Sequence, residues 1–105
     1  MQDYDASETA ALKKVFGPHA WNMPVSSLKS MCGQAFAASS AMQVVTACLT
    51  LRDQVVHPTI NYCVADPACD LDYVPNTSRR ARVRTVLIHA HSLGGLHSAM
   101  VLRAV

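Results

Sequence analysis

Apolar residues fall at helical spacing in the first segment, where Ala11, Leu12, Val15 and Phe16 share a face. Asp5 and Glu8 stand ahead of them at capping-box spacing, and Gly17–Pro18 supply a stop. A helix is therefore expected up to Phe16. After the loop PHAWNMP, the segment PVSSLKS reads as a short strand. From Ser30 to Leu51 no residue is charged over 22 positions, and the small side chains of Ala35, Ala37, Ala38 and Ala41 suit close packing. Gln34, Ser39, Ser40, Gln43, Thr46 and Thr50 argue against a membrane span and for one helix covered on all sides, ended by Arg52 and Asp53. HPTINY reads as extended chain, and residues 63–78 as a loop punctuated by Pro67 and Pro75. VRTVLIHAHS, rich in β-branched residues, predicts a strand. A turn at Gly94–Gly95 follows, and LHSAMVLRAV completes either a hairpin or a strand-to-helix unit.

Charge changes the picture. Only 15% of the 105 residues are charged, against roughly 25% in ordinary soluble domains, while 50% are hydrophobic. A chain this short buries only about 60–70% of the surface its unfolded form exposes, so an apolar face should be covered by a partner or by the rest of a larger fold. The net charge of +2 excludes a nucleic-acid-binding arm held by bulk charge, and the apolar content excludes a disordered tail. The polar start MQDYDASET lacks the features of a secretory leader, so a cytoplasmic location with reduced cysteines is expected. Cys32, Cys48, Cys63 and Cys69 form no CxxC pair, and no histidine pair stands at zinc spacing. His89, His91 and His97 gather near the end, but no metal ligand or cofactor is assigned on this pattern.

Two motifs carry candidate chemistry. AHSLGG, Ala90 to Gly95, is similar to the nucleophile elbow of α/β-hydrolases, which would make Ser92 a nucleophile. No acidic residue follows Ser92, however, and His97 is the only histidine after it. The second signal extends over nearly the whole chain. ETAALKKVFG, PVSSLKSMCGQ, LRDQVVHPTINY, DPACDLDYVPN and HAHSLGG stand in an order that resembles the C-terminal part of β-ketoacyl-acyl-carrier-protein synthases.

That resemblance implies an α/β fold, the C-terminal part of a thiolase-like α/β/α/β/α layered structure, incomplete on its own and forming a single segment over 1–105. It implies decarboxylative Claisen condensation of carrier-bound acyl groups in fatty-acid or type II polyketide synthesis. The family's nucleophilic cysteine lies in its N-terminal half, outside this chain. Its first catalytic histidine precedes an Asp–Glu pattern matched here by Asp5 and Glu8. The family pattern K-S-x-x-G-H becomes Lys29-Ser30-Met31-Cys32-Gly33-Gln34, which keeps the lysine and replaces the second histidine with glutamine. Lys29 and Gln34 are the implied catalytic positions. His91, Ser92, Leu93, Gly94 and Gly95 fall on the family's glycine-rich substrate loop, with His91 where a gating phenylalanine stands. Gln34 also leaves open a non-catalytic subunit resembling a chain-length factor. The expected partners are the remainder of a ketosynthase or a ketosynthase subunit, and an acidic acyl carrier protein for which Arg79, Arg80, Arg82 and Arg84 form a docking patch. Neither nucleic acid nor a membrane is expected as a partner, and the chain alone is expected to be inactive.

Overall fold

The computed structural model describes residues 2–92 and 94–105. Helix α1, Gln2–Phe16, runs into a 3-10 turn over Gly17–Asn22 at the expected Gly17–Pro18 stop. It begins ahead of Asp5, so Asp5 and Glu8 lie within the helix and form no capping box. Its inward side is built from Thr9, Leu12 and Phe16, spaced one helical face apart, whereas Ala11 and Val15 are exposed.

The strand expected over PVSSLKS does not form. Residues 24–27 form no strand, although the Val25 amide donates to Asp72 O at 2.7 Å, and Lys29–Cys32 form the short helix α2. Polar side chains take the place of a ladder here. The Ser27 amide donates to Thr59 Oγ1 at 3.1 Å, and the Ile60 amide donates to Ser30 Oγ at 3.0 Å. Ser26 Oγ lies 3.2 Å from His57 Nε2. Nor is Ser30–Leu51 one helix. Gly33, at φ 73° and ψ −178°, terminates α2 in a region open essentially only to glycine. A 3-10 turn over Phe36–Ala38 then leads into α3, Ser39–Asp53, which ends at the expected Arg52–Asp53.

Gln54 closes α3 in the left-handed region, its amide donating to Thr50 O at 2.8 Å. Strand β1, Val55–Val56, pairs antiparallel with β2, Arg79–Arg80. Beyond that pair, the Gln54 side chain acts as a strand partner. Its Nε2 donates to Val83 O at 2.9 Å while the Val83 amide donates to its Oε1 at 2.8 Å. The loop of 63–78 is present as expected and is stitched to 57–62 through Thr59 and Asn76.

Strands β3, Thr85–His91, and β4, His97–Arg103, form an antiparallel hairpin in which His91 faces His97 and His89 faces Ala99. A hairpin is thus the outcome at the C-terminal end, not a strand-to-helix unit. α3 packs chiefly against β3, giving an α/β arrangement.

The buried set is small: Thr9, Ala20, Ala47, Val56, Leu71, Val74 and Ile88. Only Ala47 of α3 is buried, while Val45 is 60% and Leu49 44% exposed. The helix expected to be covered on all sides is therefore left largely uncovered by the described residues. The accessible surface is 7404 Å², whereas a compact monomer of this mass exposes about 5,700 Å². The radius of gyration of 13.3 Å is near the ~13 Å of a compact chain of this length. The excess therefore comes from open faces, not from elongation. It is about twice what one partner contributes to a standard protein interface. No helix among the described residues is long and apolar enough to cross a membrane.

Candidate functional site

A broad open groove of about 1950 Å³ runs between α1, α2, α3 and the β3–β4 hairpin. Ligand pockets are usually about 300–1,000 Å³, so a groove this large is an uncovered interior face as much as a binding site. Among its lining residues are Lys29, Gln34, Arg82, Arg84, His91 and Ser92, with Gly94 beside them. Residues from three separate sequence motifs are thereby brought to one face.

Lys29 opens α2 and is exposed; it does not sit at a strand end. Ser30, next in the motif, is structural. Its hydroxyl donates to Ser27 O at 2.9 Å and accepts from the Ile60 amide, fixing α2 against the 57–60 segment. The positive φ at Gly33 swings the chain out of α2 and delivers Gln34 to the groove. Ser39 Oγ donates to Gln34 Oε1 at 2.8 Å, which ties the amide to the first residue of α3. An amide held by its acceptor end can still donate through its Nε2, but it cannot exchange a proton near neutral pH.

The glycine-rich loop is the tip of the hairpin. The Ser92 amide donates to Leu96 O at 2.9 Å and the Gly95 amide to Ser92 O at 3.1 Å, with Gly95 at φ 78°. Leu93 lies outside the described residues. A nucleophile elbow needs a strand that turns into a helix. Here Ser92 turns into β4, so the hydrolase assignment of Ser92 fails on backbone geometry.

The arginines do not form one uniform patch. Arg79 forks onto Asp72, one arm 3.1 Å from Oδ1 and the other on Oδ2, and this holds the Asp72 carboxyl below its usual pKa. The Asp72 Oδ1 also accepts from the Val74 amide. Arg79 is therefore a structural clamp. Arg80, Arg82 and Arg84 are exposed and alternate with half-buried Ala81 and Val83, the period-2 pattern of extended chain.

Polar contacts hold helix α1 to this site. Thr9, only 3% exposed, shares a 2.6 Å hydrogen bond with Tyr73 OH. Burial raises the Tyr73 pKa, and the Thr9 bond partly offsets this. Lys13 pairs with Asp70 and sits 5.0 Å over the Trp21 ring. Glu8 Oε1 lies 3.0 Å from His89 Nδ1. His89, His91 and His97 in turn converge on one face of the hairpin, with ring centroids 5.6 to 5.8 Å apart. Ligand spacing along the chain missed this group, because the third ring arrives across the strand pair. The signal was the H-x-H alternation followed by a two-glycine turn.

Comparison with known proteins accords with these elements. The chain is 48% identical over 101 residues to a Streptomyces halstedii protein named polyketide beta-ketoacyl synthase 1, covering 96% of this chain and 24% of that protein. It is 47% identical to a structure of a type II PKS ketosynthase bound to the hexaketide and in complex with its acyl-carrier protein. That match has a TM-score of 0.91 over 93% of this chain and 24% of the other. The ishigamide ketosynthase/chain length factor matches with a TM-score of 0.90 at 31% identity, over 95% of this chain and 24% of its own. The chain thus spans about a quarter of the length of the relatives it matches. Its fold is the C-terminal part of the thiolase-like ketosynthase fold. Residues 2–63 match the β-ketoacyl synthase C-terminal domain family, and the chain belongs to that family.

Proposed function

We propose that residues 1–105 are the C-terminal portion of a type II polyketide β-ketoacyl synthase subunit acting in the cytoplasm. In this reading the groove is completed by the remainder of the ketosynthase, and the assembly condenses acyl groups presented on an acyl carrier protein. The observation that carries this reading is the meeting of the Lys29–Gln34 motif and the hairpin tip on one groove, in a chain with the ketosynthase backbone.

Lys29 supplies positive charge to the site where the extender unit loses its carboxylate. Gln34 donates through Nε2 to the enolate oxygen that develops there. It performs the hydrogen-bonding part of the histidine's work without the proton exchange, whose loss costs on the order of 10²–10⁴ in rate. His91, Ser92, Gly94 and Gly95 border the acyl path. Arg80, Arg82 and Arg84 meet the acidic carrier, while Arg79 keeps their strand in place. A second reading follows from Gln34 itself: a chain-length-factor-like subunit that shapes the acyl cavity of a catalytic partner.

The test uses the full protein with its ketosynthase partner and a malonyl-loaded carrier. Lys29→Ala and Gln34→Ala should each lower the condensation rate about tenfold or more, which is roughly 1.4 kcal/mol, and Gln34→His should raise it. If both alanine variants keep the wild-type rate and only product length changes, the chain-length-factor reading replaces the first. If neither rate nor product length responds, both are refuted.

A further inference from the structure

Apart from the place of His91 beside the acyl path, the three histidines on the hairpin take no part in the condensation chemistry proposed above. His89 and His91 are two residues apart on β3 and so point to the same face. His97 stands directly opposite His91 on β4, so it joins that face from across the ladder. One ring nitrogen from each histidine lies within 4.8 Å of the others. The closest pair, His89 Nε2 and His97 Nδ1, is 3.4 Å apart. A tetrahedral centre with nitrogen ligands at about 2.0–2.1 Å separates neighbouring ligand atoms by about 3.3–3.4 Å. One edge of the site is therefore already at the ligand-to-ligand distance of such a centre, and the wider gap closes by rotating the exposed His91 and His97 side chains.

A second observation fixes the chemistry of the buried-side ligand. Glu8 Oε1 sits 3.0 Å from His89 Nδ1, so Nδ1–H donates to the carboxylate. In the neutral ring this leaves the lone pair on Nε2, the atom that faces His97. A carboxylate behind a ligating histidine is the outer-shell arrangement that orients the ring and raises its basicity at metal sites. Imidazole donors select borderline divalent cations over Mg²⁺ or Ca²⁺, which prefer oxygen.

We propose that His89, His91 and His97 form a site for a borderline divalent cation of the Zn²⁺ or Cu²⁺ class. The site has three imidazole ligands, one coordination position open to solvent, and Glu8 as the positioning carboxylate. Bound metal would cross-link β3 to β4 just below the glycine turn.

The experiment uses the full protein with its accessible cysteines alkylated, the four exposed or half-exposed thiols of residues 1–105 among them, so that thiols do not compete. Zn²⁺ is titrated against a chromogenic chelator, and Cu²⁺ is followed by electron paramagnetic resonance. The expected result is one equivalent of Zn²⁺ withheld per chain, with nitrogen hyperfine splitting in the Cu²⁺ spectrum. His91→Ala and His97→Ala should each weaken binding at least tenfold, and Glu8→Gln by about 10–100-fold. His19→Ala and His57→Ala should change nothing. Zn²⁺ should also raise the thermal midpoint of the wild type but not that of His97→Ala. Because both variants alter exposed side chains, folding is checked by circular dichroism. The proposal is overturned if the wild type withholds no zinc, or if folded His91→Ala and His97→Ala bind as tightly as wild type. Condensation activity enters neither outcome, so the two proposals fail separately.

Discussion

Gln54 joins helix α3 to the segment that carries Arg80, Arg82 and Arg84, and its replacement should separate two opposing effects. The side chain donates to Val83 O at 2.9 Å and accepts from the Val83 amide at 2.8 Å, with a further bond from Nε2 to Leu51 O at 2.8 Å. Each intramolecular hydrogen bond contributes about 0.5–1.5 kcal/mol net. Removing the two that reach Val83 should therefore cost about 1–3 kcal/mol. The backbone, at φ 57° and ψ 40°, adds strain that an alanine keeps and a glycine relieves by roughly 1 kcal/mol. Gln54→Ala should thus lose about 2 kcal/mol and Gln54→Gly about 1, even though glycine removes more atoms. Gln54→Glu should be worse than either, since its carboxylate would face the carbonyls of Leu51 and Val83. Hydrogen exchange of the Val83 amide in the full protein reads this directly, because 2 kcal/mol corresponds to about 30-fold in local opening. Equal exchange in the alanine and glycine variants, or a change of under about twofold in the alanine variant, would refute the reasoning.

Three further outcomes follow from the same contacts. Thr9→Val should cost about 1 kcal/mol in urea unfolding, and Tyr73→Phe somewhat more, because it leaves the buried Thr9 hydroxyl unmatched. Asp72 is held below the usual carboxylate value of 3.8, first by Arg79 and then by the Val74 amide. Its contribution is present above that value and fades as pH falls through the lowered one. Asp72→Asn should therefore flatten the acid limb of the stability profile by about 1 kcal/mol or less, read by acid titration of Trp21 fluorescence. Ser30→Ala should free the Ile60 amide and raise its hydrogen exchange while leaving the Val83 amide unchanged.

Legibility in the sequence depended on where the determinants of each element lie. The β3 strand and the stop at Gly17–Pro18 are local signals, and both were readable. PVSSLKS has strand-like spacing, yet its serines bond to Thr59, Ile60 and His57, about 30 residues away. No local pattern announces that exchange. The uncharged run from Ser30 hid a break, because composition reports polarity and not backbone angle. Gly33 and then Phe36, at φ 50° with its ring 82% exposed, interrupt the helix that the run suggested. The candidate site divides the same way. Lys29, Gln34 and the hairpin tip were named from motif order, but the pairing of Arg79 was not legible because its Asp72 partner lies across a turn. The histidine triad needed the strand register, since only the pairing of His91 with His97 brings the third ring to the face.

These contacts bear on how so small a buried core holds a defined groove. The seven residues buried among those described cannot by themselves offset the conformational entropy of ordering about a hundred, at roughly 1–2 kcal/mol for each backbone. In the proposed reading the apolar contribution comes from covering the open faces of α3 and the hairpin, whose Leu49, Leu87, Met100 and Val101 are exposed. The polar contacts do a different job. Thr9 with Tyr73, Glu8 with His89, Gln54 with Val83 and Arg79 with Asp72 each join segments distant in sequence, and each depends on geometry more than on buried area. They fix where the helices and the hairpin sit, and in the proposed reading the remainder of the ketosynthase stabilises that placement. A variant in one of these contacts should therefore change the shape of the groove before it abolishes assembly. Val45→Asp or Leu49→Asp on α3 should do the reverse, blocking assembly while the local hydrogen bonds persist. Size-exclusion chromatography of the assembled protein, run alongside hydrogen exchange at Val83, distinguishes the two classes. If the α3 variants assembled normally, the open faces would not be covered surfaces.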